Sequence, residues 1–223
     1  MSLADVLYMD YQATTRIANE ASDAMQPYLN AHFWNPHRAH RLGRAMAARV
    51  EHARDQVAAL LPAGGRVVFT SGATEAINLA MKGSMTRDSV IAVSAIEHAA
   101  VLDTAEWLAG QGARVVYLPV TPDGIIDVDA AGQLLPDRID LLAVMQVNNE
   151  VGTIQPVEWL TELAHQRGGL LLCDAVQSFG RMPVPAQADM VAISAHKIHG
   201  PKGVGALWVR DGVKLTPLIH GGG

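Results

Sequence analysis

A lysine near the end of the sequence lies where an amine could act as a nucleophile. Lys197 follows an apolar run at 190–194 and precedes a Gly-Pro pair at 200–201, which makes a rigid turn. An amine held there loses contact with water, and desolvation lowers the pKa of an ammonium group and makes the amine nucleophilic. The same lysine could instead extend along its apolar stem to solvent. Its position indicates either covalent carbonyl chemistry or an ordinary surface cation.

The small residues at 71–74 could bind an anion. They read Ser-Gly-Ala-Thr, follow an apolar run and open a segment with helical spacing. Small side chains let backbone N–H groups approach a phosphate, and the positive end of the helix dipole adds to the attraction. Ala73 and Thr74 would lie at this helix start, and Thr74 could also donate its hydroxyl. The alternative is an ordinary turn in which Ser or Thr caps the helix.

Three more polar side chains follow apolar runs. His98 could stack its ring on a planar ligand or be a plain loop residue, and Asn149 could hydrogen-bond a ligand or cap a turn. Asp174 ends an all-apolar run, where a carboxylate is costly to bury without a cationic partner. That partner could be a protonated pyridine nitrogen. The alternative is an exposed or helix-capping Asp.

An alternation of strands and helices would bring these residues together. Seven short runs are mostly apolar, as buried parallel strands are, at 66–70, 89–94, 113–118, 140–144, 169–173, 190–194 and 204–209. Helical spacing is found at 39–61, 73–82, 99–110, 127–135 and 157–166. This order predicts an α/β fold, a mostly parallel sheet with helices on both faces.

Ligands of such sheets bind at the carboxyl ends of the strands. Five predicted strand ends supply, in chain order, an anion site, a ring, an amide, a carboxylate and an amine. Pyridoxal 5'-phosphate (PLP) needs this combination: a phosphate anchor, a partner for its ring face, hydrogen bonds to its ring oxygen and nitrogen, and a lysine. The sequence therefore predicts a PLP site at this edge.

The composition excludes several other classes of protein. The chain has 223 residues, 49% of them hydrophobic, and a formal net charge of −5, which disfavours a nucleic-acid or anionic-membrane partner. The single cysteine excludes an internal disulfide framework, and no apolar run approaches the roughly 20 residues that span a bilayer. We expect a soluble, cytoplasmic protein.

Motifs along nearly the whole chain carry a more specific signal. They are YMDYQATT at 8–15, Asn35-Pro36 with His40 and Gly43, TSGATE at 70–75, Glu97-His98, VNNEVG at 147–152, DAVQ at 174–177, SAHKIHGPKG at 194–203 and HGGG at 220–223. By these motifs the chain resembles the class V aminotransferase-like PLP enzymes of fold type I. Within them it is most similar to the cysteine desulfurases of the NifS/IscS type.

The resemblance implies how the phosphate of PLP is bound. Ala73 and Thr74 would hold it, with help from Ser194 and His196. These four residues come from the TSGATE and SAHKIHGPKG motifs, so the resemblance joins two segments that are far apart in sequence.

The resemblance also implies the contacts to the ring and the catalytic groups. His98 would stack on the ring, and Asn149 would lie near the ring hydroxyl or the substrate. Asp174 would pair with the pyridine nitrogen and Gln177 with the phenolic oxygen. Lys197 would form the Schiff base with PLP and later move protons at the α-carbon of the substrate. His98 and Lys197 are thus the candidate catalytic residues.

For the whole protein, the resemblance implies conversion of L-cysteine to L-alanine, with the sulfur passed to an enzyme persulfide for iron–sulfur or thio-cofactor assembly. A homodimer and a sulfur-acceptor protein are the implied partners. We expect residues 1–15 to form an N-terminal segment and residues 16–223 a PLP-binding large domain. The family's small C-terminal domain is expected to be absent, and with it the substrate-binding arginine, the nucleophilic cysteine loop and a threonine that reaches the neighbouring subunit.

Cys173, the one cysteine of the chain, is not expected to take the role of the family's nucleophilic cysteine. Cys173 directly precedes Asp174 in a predicted strand, so the two side chains should point to opposite faces, and a buried free cysteine usually behaves as a small core residue. Histidine pairs at 37/40 and 196/199 have metal-like spacing, but no Cys or carboxylate cluster accompanies them, and no metal site is expected.

Two other functions remain open at this point. One is a different PLP reaction, that of a selenocysteine lyase, a kynureninase-like enzyme or an aminotransferase, because these share the Lys, Asp and His set. The other is a non-catalytic PLP-binding scaffold that dimerises, since a fold does not by itself determine a function.

Overall fold

The computed structural model describes residues 6–221, which form a seven-stranded sheet with helices on both faces. The strands are β1 (Gly65–Thr70), β2 (Val90–Ser94), β3 (Arg114–Leu118), β4 (Leu141–Met145), β5 (Leu170–Asp174), β6 (Met190–Ser194) and β7 (Gly205–Arg210). The helices are α1 (Asn19–Asn30), α2 (Arg41–Ala58), α3 (Ala73–Ser84), α4 (Ala99–Gly110), α5 (Val128–Leu134) and α6 (Val157–Gln166). A short 3₁₀ helix follows β6 at Ala195–Lys197.

The strand directions place six carboxyl ends at one edge of the sheet. The strand order is β1-β7-β6-β5-β4-β2-β3, and every neighbouring pair from β6 to β3 is parallel. Strand β7 is antiparallel to both of its neighbours, β6 and β1, so β1 runs in the same direction as β2 to β6. The predicted α/β fold with a mostly parallel sheet is confirmed. Its carboxyl edge collects the polar residues that follow the strands.

The core consists of two apolar layers, one on each face of the sheet. Helices α3 and α4 cover one face, and α5, α6 and the end of α2 cover the other. Along β5, Leu171 and Cys173 belong to one layer and Leu172 to the other. A central strand that is buried on both faces is apolar at nearly every position, which is why these strands could be predicted from short apolar runs.

Helix α1 was not predicted. It has no buried residue, and it contains Pro27, a residue that in a sequence argues against a helix interior. The helix predicted at 39–61 is α2, which begins after His40 because the Nδ1 atom of His40 accepts a hydrogen bond from the Gly43 amide at 3.1 Å. Among the helices of residues 6–221, none is long and apolar enough to cross a membrane.

Candidate functional site

A cavity of about 640 Å³ opens at the carboxyl edge of the sheet. Its size is in the range of small-molecule sites. The structure brings all of the site residues named from the sequence to its wall: Ala73, Thr74, His98, Asn149, Asp174, Gln177, Ser194, His196 and Lys197. They come from five segments of the chain, and the parallel strand directions are what make them neighbours.

The start of α3 forms one end of the cavity. The Ser71 amide and hydroxyl both donate to the Glu75 carboxylate, at 2.7 and 2.6 Å, and these bonds lower the pKa of Glu75. The Ser71 amide is therefore already occupied. The amides of Ala73 and Thr74, the first two residues of the helix, have no acceptor within it. Two helix-start amides thus remain for an anion.

Lys197 ends the short 3₁₀ helix that follows β6. Its Nζ atom donates to the backbone carbonyl of Gln12, from the N-terminal segment. Partial burial lowers the pKa of Lys197, and Arg181 acts in the same direction, while Asp10 and Asp174 oppose the shift. The desolvation expected from the sequence is present, and it favours the unprotonated, nucleophilic amine.

Asp174 presents a buried carboxylate at the end of β5. It is only 6% exposed, and its Oδ1 accepts a hydrogen bond from the Val176 amide at 2.9 Å. Burial raises the pKa of Asp174, and the Val176 amide, His98 and Lys197 oppose that rise. Among residues 6–221 no basic side chain forms a salt bridge with this carboxylate. A cationic group bound in the cavity would stabilise its charged form.

His98 is the N-cap of α4 and also lines the cavity. Its Nδ1 atom accepts a hydrogen bond from the Ala100 amide at 3.0 Å. In a neutral His98 ring the proton is consequently on Nε2. Helix capping therefore fixes the orientation of a ring that is exposed on the cavity wall.

Gln177, Ser194 and His196 complete the wall near Lys197. Gln177 donates through Nε2 to the Gln12 carbonyl at 3.1 Å. The Nδ1 atom of His196 is 3.2 Å from the Thr14 hydroxyl, and burial, together with Lys197 and Lys202, lowers the pKa of the His196 ring. Ser194 is the last residue of β6 and is 4% exposed.

The two adjacent asparagines have different positions. Asn148 is buried: its Nδ2 donates to the Ile96 carbonyl at 3.0 Å, and its Oδ1 accepts from the Glu150 and Val151 amides. Asn149 lines the cavity and donates to the Glu150 carboxylate at 2.7 Å. Asn148 therefore holds the loop, and Asn149 is available to a ligand.

The sequence did not indicate the position of Glu97. This residue is 6% exposed; its Oε1 accepts from the Ser94 hydroxyl at 2.5 Å, and its Oε2 is buried without a hydrogen-bond partner. Burial raises the pKa of Glu97 to about 8, and nearby Asp174 adds to the rise. Burial therefore favours the protonated form of the Glu97 carboxyl, which directly precedes His98 on the cavity wall.

Thr14 and Lys202 also line the cavity, although neither was singled out from the sequence. The only sequence signal for Thr14 was the YMDYQATT motif that contains it, and the only signal for Lys202 was its place in the Gly-Pro-Lys-Gly turn. Within residues 6–221, no group of three or more His, Cys, Asp or Glu side chains could hold a metal ion.

Cys173 has no exposed surface and belongs to the apolar layer of α5 and α6, as expected from its position before Asp174. Burial raises the pKa of the Cys173 thiol well above its usual value, and Asp174 and Glu97 add to the rise. The thiol is thus a core group and not part of the cavity wall.

The sheet topology and the cavity together define an α/β protein of the PLP-dependent transferase fold type I. The chain belongs to the aminotransferase class-V family, whose model matches residues 7–223. A curated relative, the cysteine desulfurase IscS of Rickettsia rickettsii (strain Iowa), is 43% identical over 97% of this chain and 56% of its own length.

Two solved structures are similar to the chain. A NifS-like protein has a TM-score of 0.91 and 38% identity, over 97% of this chain and 62% of that one. SspA in complex with cysteine has a TM-score of 0.90 and 34% identity, over 97% of this chain and 65% of that one. The chain thus spans a little over half the length of its curated relative.

Enzymes of this family depend on PLP, and the residues of the cavity fit that group. The two helix-start amides of α3 suit a phosphate, the unpaired and buried Asp174 carboxylate suits a protonated ring nitrogen, and the partly desolvated amine of Lys197 suits an aldehyde. These three groups line one cavity, so one molecule could contact them all.

Proposed function

We propose that this chain is the PLP-binding part of a cysteine desulfurase, which converts L-cysteine to L-alanine and transfers sulfur to a thiol. The observation that carries the proposal is the shared cavity of Lys197, Asp174 and the start of α3. The choice of cysteine as substrate is supported by the IscS relative and by the similarity to SspA, which was solved in complex with cysteine.

We assign the phosphate of PLP to the Ala73 and Thr74 amides, with Ser194 and His196 beside them. Backbone amides at a helix start bind a phosphate without any basic side chain, and the helix dipole stabilises its charge. The low pKa of His196 keeps its ring neutral, so that it can donate or accept a hydrogen bond according to its tautomer.

PLP, when bound, supplies an electron sink for negative charge at the α-carbon of the substrate. Asp174 would accept a hydrogen bond from the ring nitrogen and keep that nitrogen protonated. Gln177 and Asn149 would hydrogen-bond the ring oxygen or the substrate, and the His98 ring would lie against the ring face. Lys197 would hold the cofactor covalently and then move a proton at the α-carbon, which its lowered pKa favours.

The overall reaction balances as cysteine plus a thiol giving alanine plus a persulfide, in which one carbon–sulfur bond breaks and one sulfur–sulfur bond forms. We propose that the accepting thiol is not Cys173, because that side chain is completely buried on the far side of β5 from Asp174. A thiol outside this structure would accept the sulfur.

The wider assignments are proposals that rest on the family. Residues 16–223 are proposed as the PLP-binding large domain and residues 1–15 as an N-terminal segment, of which Gln12 contacts Lys197. A homodimer, a sulfur-acceptor protein, iron–sulfur assembly and a cytoplasmic location are proposed on the same basis.

The covalent assignment can be tested on the purified protein. Added PLP should produce a yellow species, and borohydride should fix the cofactor to the peptide that contains Lys197. Lys202→Ala is the matched control, because Lys202 lines the same cavity. Lys197→Ala should abolish labelling and Lys202→Ala should retain it. Undiminished labelling in Lys197→Ala would show that another amine holds the cofactor.

Release of alanine from L-cysteine tests the reaction, and an added thiol reductant should release the persulfide sulfur as sulfide. Alanine release with PLP bound supports the desulfurase, and selenocysteine or an amino acceptor tested in parallel would identify another reaction of the family. Because Cys173 is buried, bound PLP without any turnover is also a meaningful result. It would support a chain that binds the cofactor as a scaffold and depends on other segments for sulfur transfer.

A further inference from the structure

The first residue of β7 lies directly against the turn that precedes α3. Gly205 pairs with Thr70 of β1 on one side and with Ser194 of β6 on the other. A Cβ atom added at Gly205 would be 2.6 Å from both the carbonyl carbon and the Cα of Gly72, and 2.8 Å from the Ile193 oxygen. These are backbone atoms, which cannot rotate away as a side chain can. The turn can occupy its place only because residue 205 has no side chain.

Gly72 is also fixed by two hydrogen bonds to its carbonyl group. Its carbonyl oxygen accepts hydrogen bonds from the Thr70 hydroxyl at 2.9 Å and from the Ala76 amide at 3.1 Å. The Gly72 peptide is thus fixed between β7 on one side and α3 on the other. The amides that follow it directly are those of Ala73 and Thr74, so any shift of Gly72 is passed on to both.

We propose that Gly205 is a positioning residue for the phosphate of the cofactor. Because Gly205 has no side chain, the turn at 71–74 can lie close against β7, and in that position the Ala73 and Thr74 amides point at the phosphate. The inference rests on the proposed function, since it assumes that the α3 start binds phosphate. Charge-assisted hydrogen bonds need good distances and angles, so a methyl group at 205 weakens them by moving the donors.

The test compares two ligands that differ in the phosphate. The affinities of the cofactor-free protein for PLP and for pyridoxal are measured for the wild type and for Gly205→Ala. We expect PLP to bind about tenfold or more weakly to the variant, which corresponds to the loss of one charge-assisted bond. Pyridoxal, which makes no phosphate contact, should change by about twofold or less. The preference for PLP therefore falls.

Gly65→Ala is the control for a loss of stability alone. Gly65 lies at the other end of the β1–β7 pair, and a Cβ there would be 2.5 Å from the buried Trp208 ring. This variant should unfold more easily than the wild type, yet it should keep the wild-type ratio of PLP to pyridoxal affinity. A merely structural effect would change both variants alike.

A second variant keeps the test informative if Gly205→Ala does not fold. Thr70→Val keeps the shape of the side chain but removes the hydrogen bond to Gly72, and we expect it to lower the preference for PLP by a few-fold. Thr161→Val is its control, because the Thr161 hydroxyl bonds the Val157 carbonyl at 2.7 Å inside α6, away from the cavity.

The outcomes separate the two proposals. A wild-type preference for PLP that persists in both Gly205→Ala and Thr70→Val would overturn the positioning role and leave the proposed function intact. A wild type that binds PLP no better than pyridoxal would refute the phosphate site itself, and the positioning role with it. A preference that falls in these variants and survives in Gly65→Ala and Thr161→Val supports both.

Discussion

Thr15 binds the backbone of His196 twice, from 181 residues away. Its amide and its hydroxyl both donate to the His196 carbonyl, at 2.8 and 2.9 Å. The same hydroxyl accepts from the His199 amide at 2.7 Å, and His199 has a φ of 63°, an unfavourable left-handed conformation for a residue with a side chain. Thr15 thereby stabilises the turn that carries Lys197 in a conformation that is unfavourable for the turn by itself.

The first prediction concerns the two hydrogen bonds of the Thr15 hydroxyl. Thr15→Val should lower the free energy of unfolding by about 1–2 kcal/mol, since a part-buried carbonyl loses one donor and the His199 amide loses its acceptor. It should also speed the dissociation of PLP, because the turn with Lys197 becomes mobile. Urea unfolding and the decay of cofactor absorbance under dilution measure the two effects. Thr15→Ser, which keeps the hydroxyl, should resemble the wild type; if it behaves like Thr15→Val, the hydrogen bonds are not the cause.

The second prediction is a pH dependence that arises from Glu97. Burial raises its pKa in the folded protein to about 8, from an ordinary value of 4.5. Between these values the folded state keeps a proton that the unfolded chain has released, so stability is fully present at low pH and falls as the pH rises. The slope from this one group is about 1.4 kcal/mol per pH unit within the window. Glu97→Gln should remove that slope.

Urea unfolding of the cofactor-free protein between about pH 5 and about pH 8.5 measures the slope. Asp174, whose pKa is also raised by burial, contributes in the same direction, so only the difference between the wild type and Glu97→Gln isolates Glu97. Glu106→Gln on the exposed face of α4 is the control and should leave the curve unchanged. Parallel curves for the wild type and Glu97→Gln would mean that Glu97 is ionised in the folded protein.

The third prediction concerns Asp189, which directly precedes β6 and so lies at the amino ends of the parallel strands, away from the cavity. Asp189 is 6% exposed; its Oδ2 accepts from the Leu171 amide at 2.8 Å and lies 2.8 Å from His165 Nε2, while Arg210 Nε is 3.5 Å from Oδ1. Asp189→Ala leaves a buried amide without an acceptor, and should lower the free energy of unfolding by about 2 kcal/mol or more. Asp55→Ala, on the exposed side of α2, should have almost no effect. Equal urea midpoints for the two variants would contradict the role of Asp189.

The fourth prediction concerns the reactivity of Cys173. The only thiol of the chain is completely buried and its pKa is raised, so it should not react with a thiol reagent in the native protein. One equivalent should react after unfolding in urea. Bound PLP should slow the reaction further, since it stabilises the folded state. Complete labelling of the native protein on mixing would place the thiol at the surface and reopen its candidacy as the sulfur acceptor.

The sequence was sufficient to predict the sheet, because its strands are short, continuous apolar runs separated by segments with helical spacing, a pattern that is visible without any tertiary information. It was not sufficient for α1, whose stability cannot come from a buried face of its own. Every residue expected at the site lines the cavity. The strand-end rule, which depends only on local order along the chain, pointed to Ala73, Thr74, His98, Asn149, Asp174 and Lys197, and the family resemblance added the others.

What the sequence could not show were contacts set by the tertiary structure. The Gln12 carbonyl meets the Lys197 amine across 185 residues, and no local pattern encodes that distance. The burial of Glu97 is similar: a Glu-His pair looks polar in the sequence, but the folded chain buries the Glu97 carboxyl against the Ser94 hydroxyl. The separate positions of Asn148 and Asn149 are also determined by the folded loop.

The position of β7 has a consequence for the order of events during synthesis. Within residues 6–221, strand β1, which leads into the α3 turn, is at the edge of the sheet and pairs with β7, the last of the seven described strands to be synthesised. The α3 turn must therefore wait for about 140 further residues before β1 can pair with β7, and nascent chains that end earlier would expose the edges of β6 and β1. We therefore expect that the α3 turn binds the phosphate of the cofactor only after β7 has been synthesised.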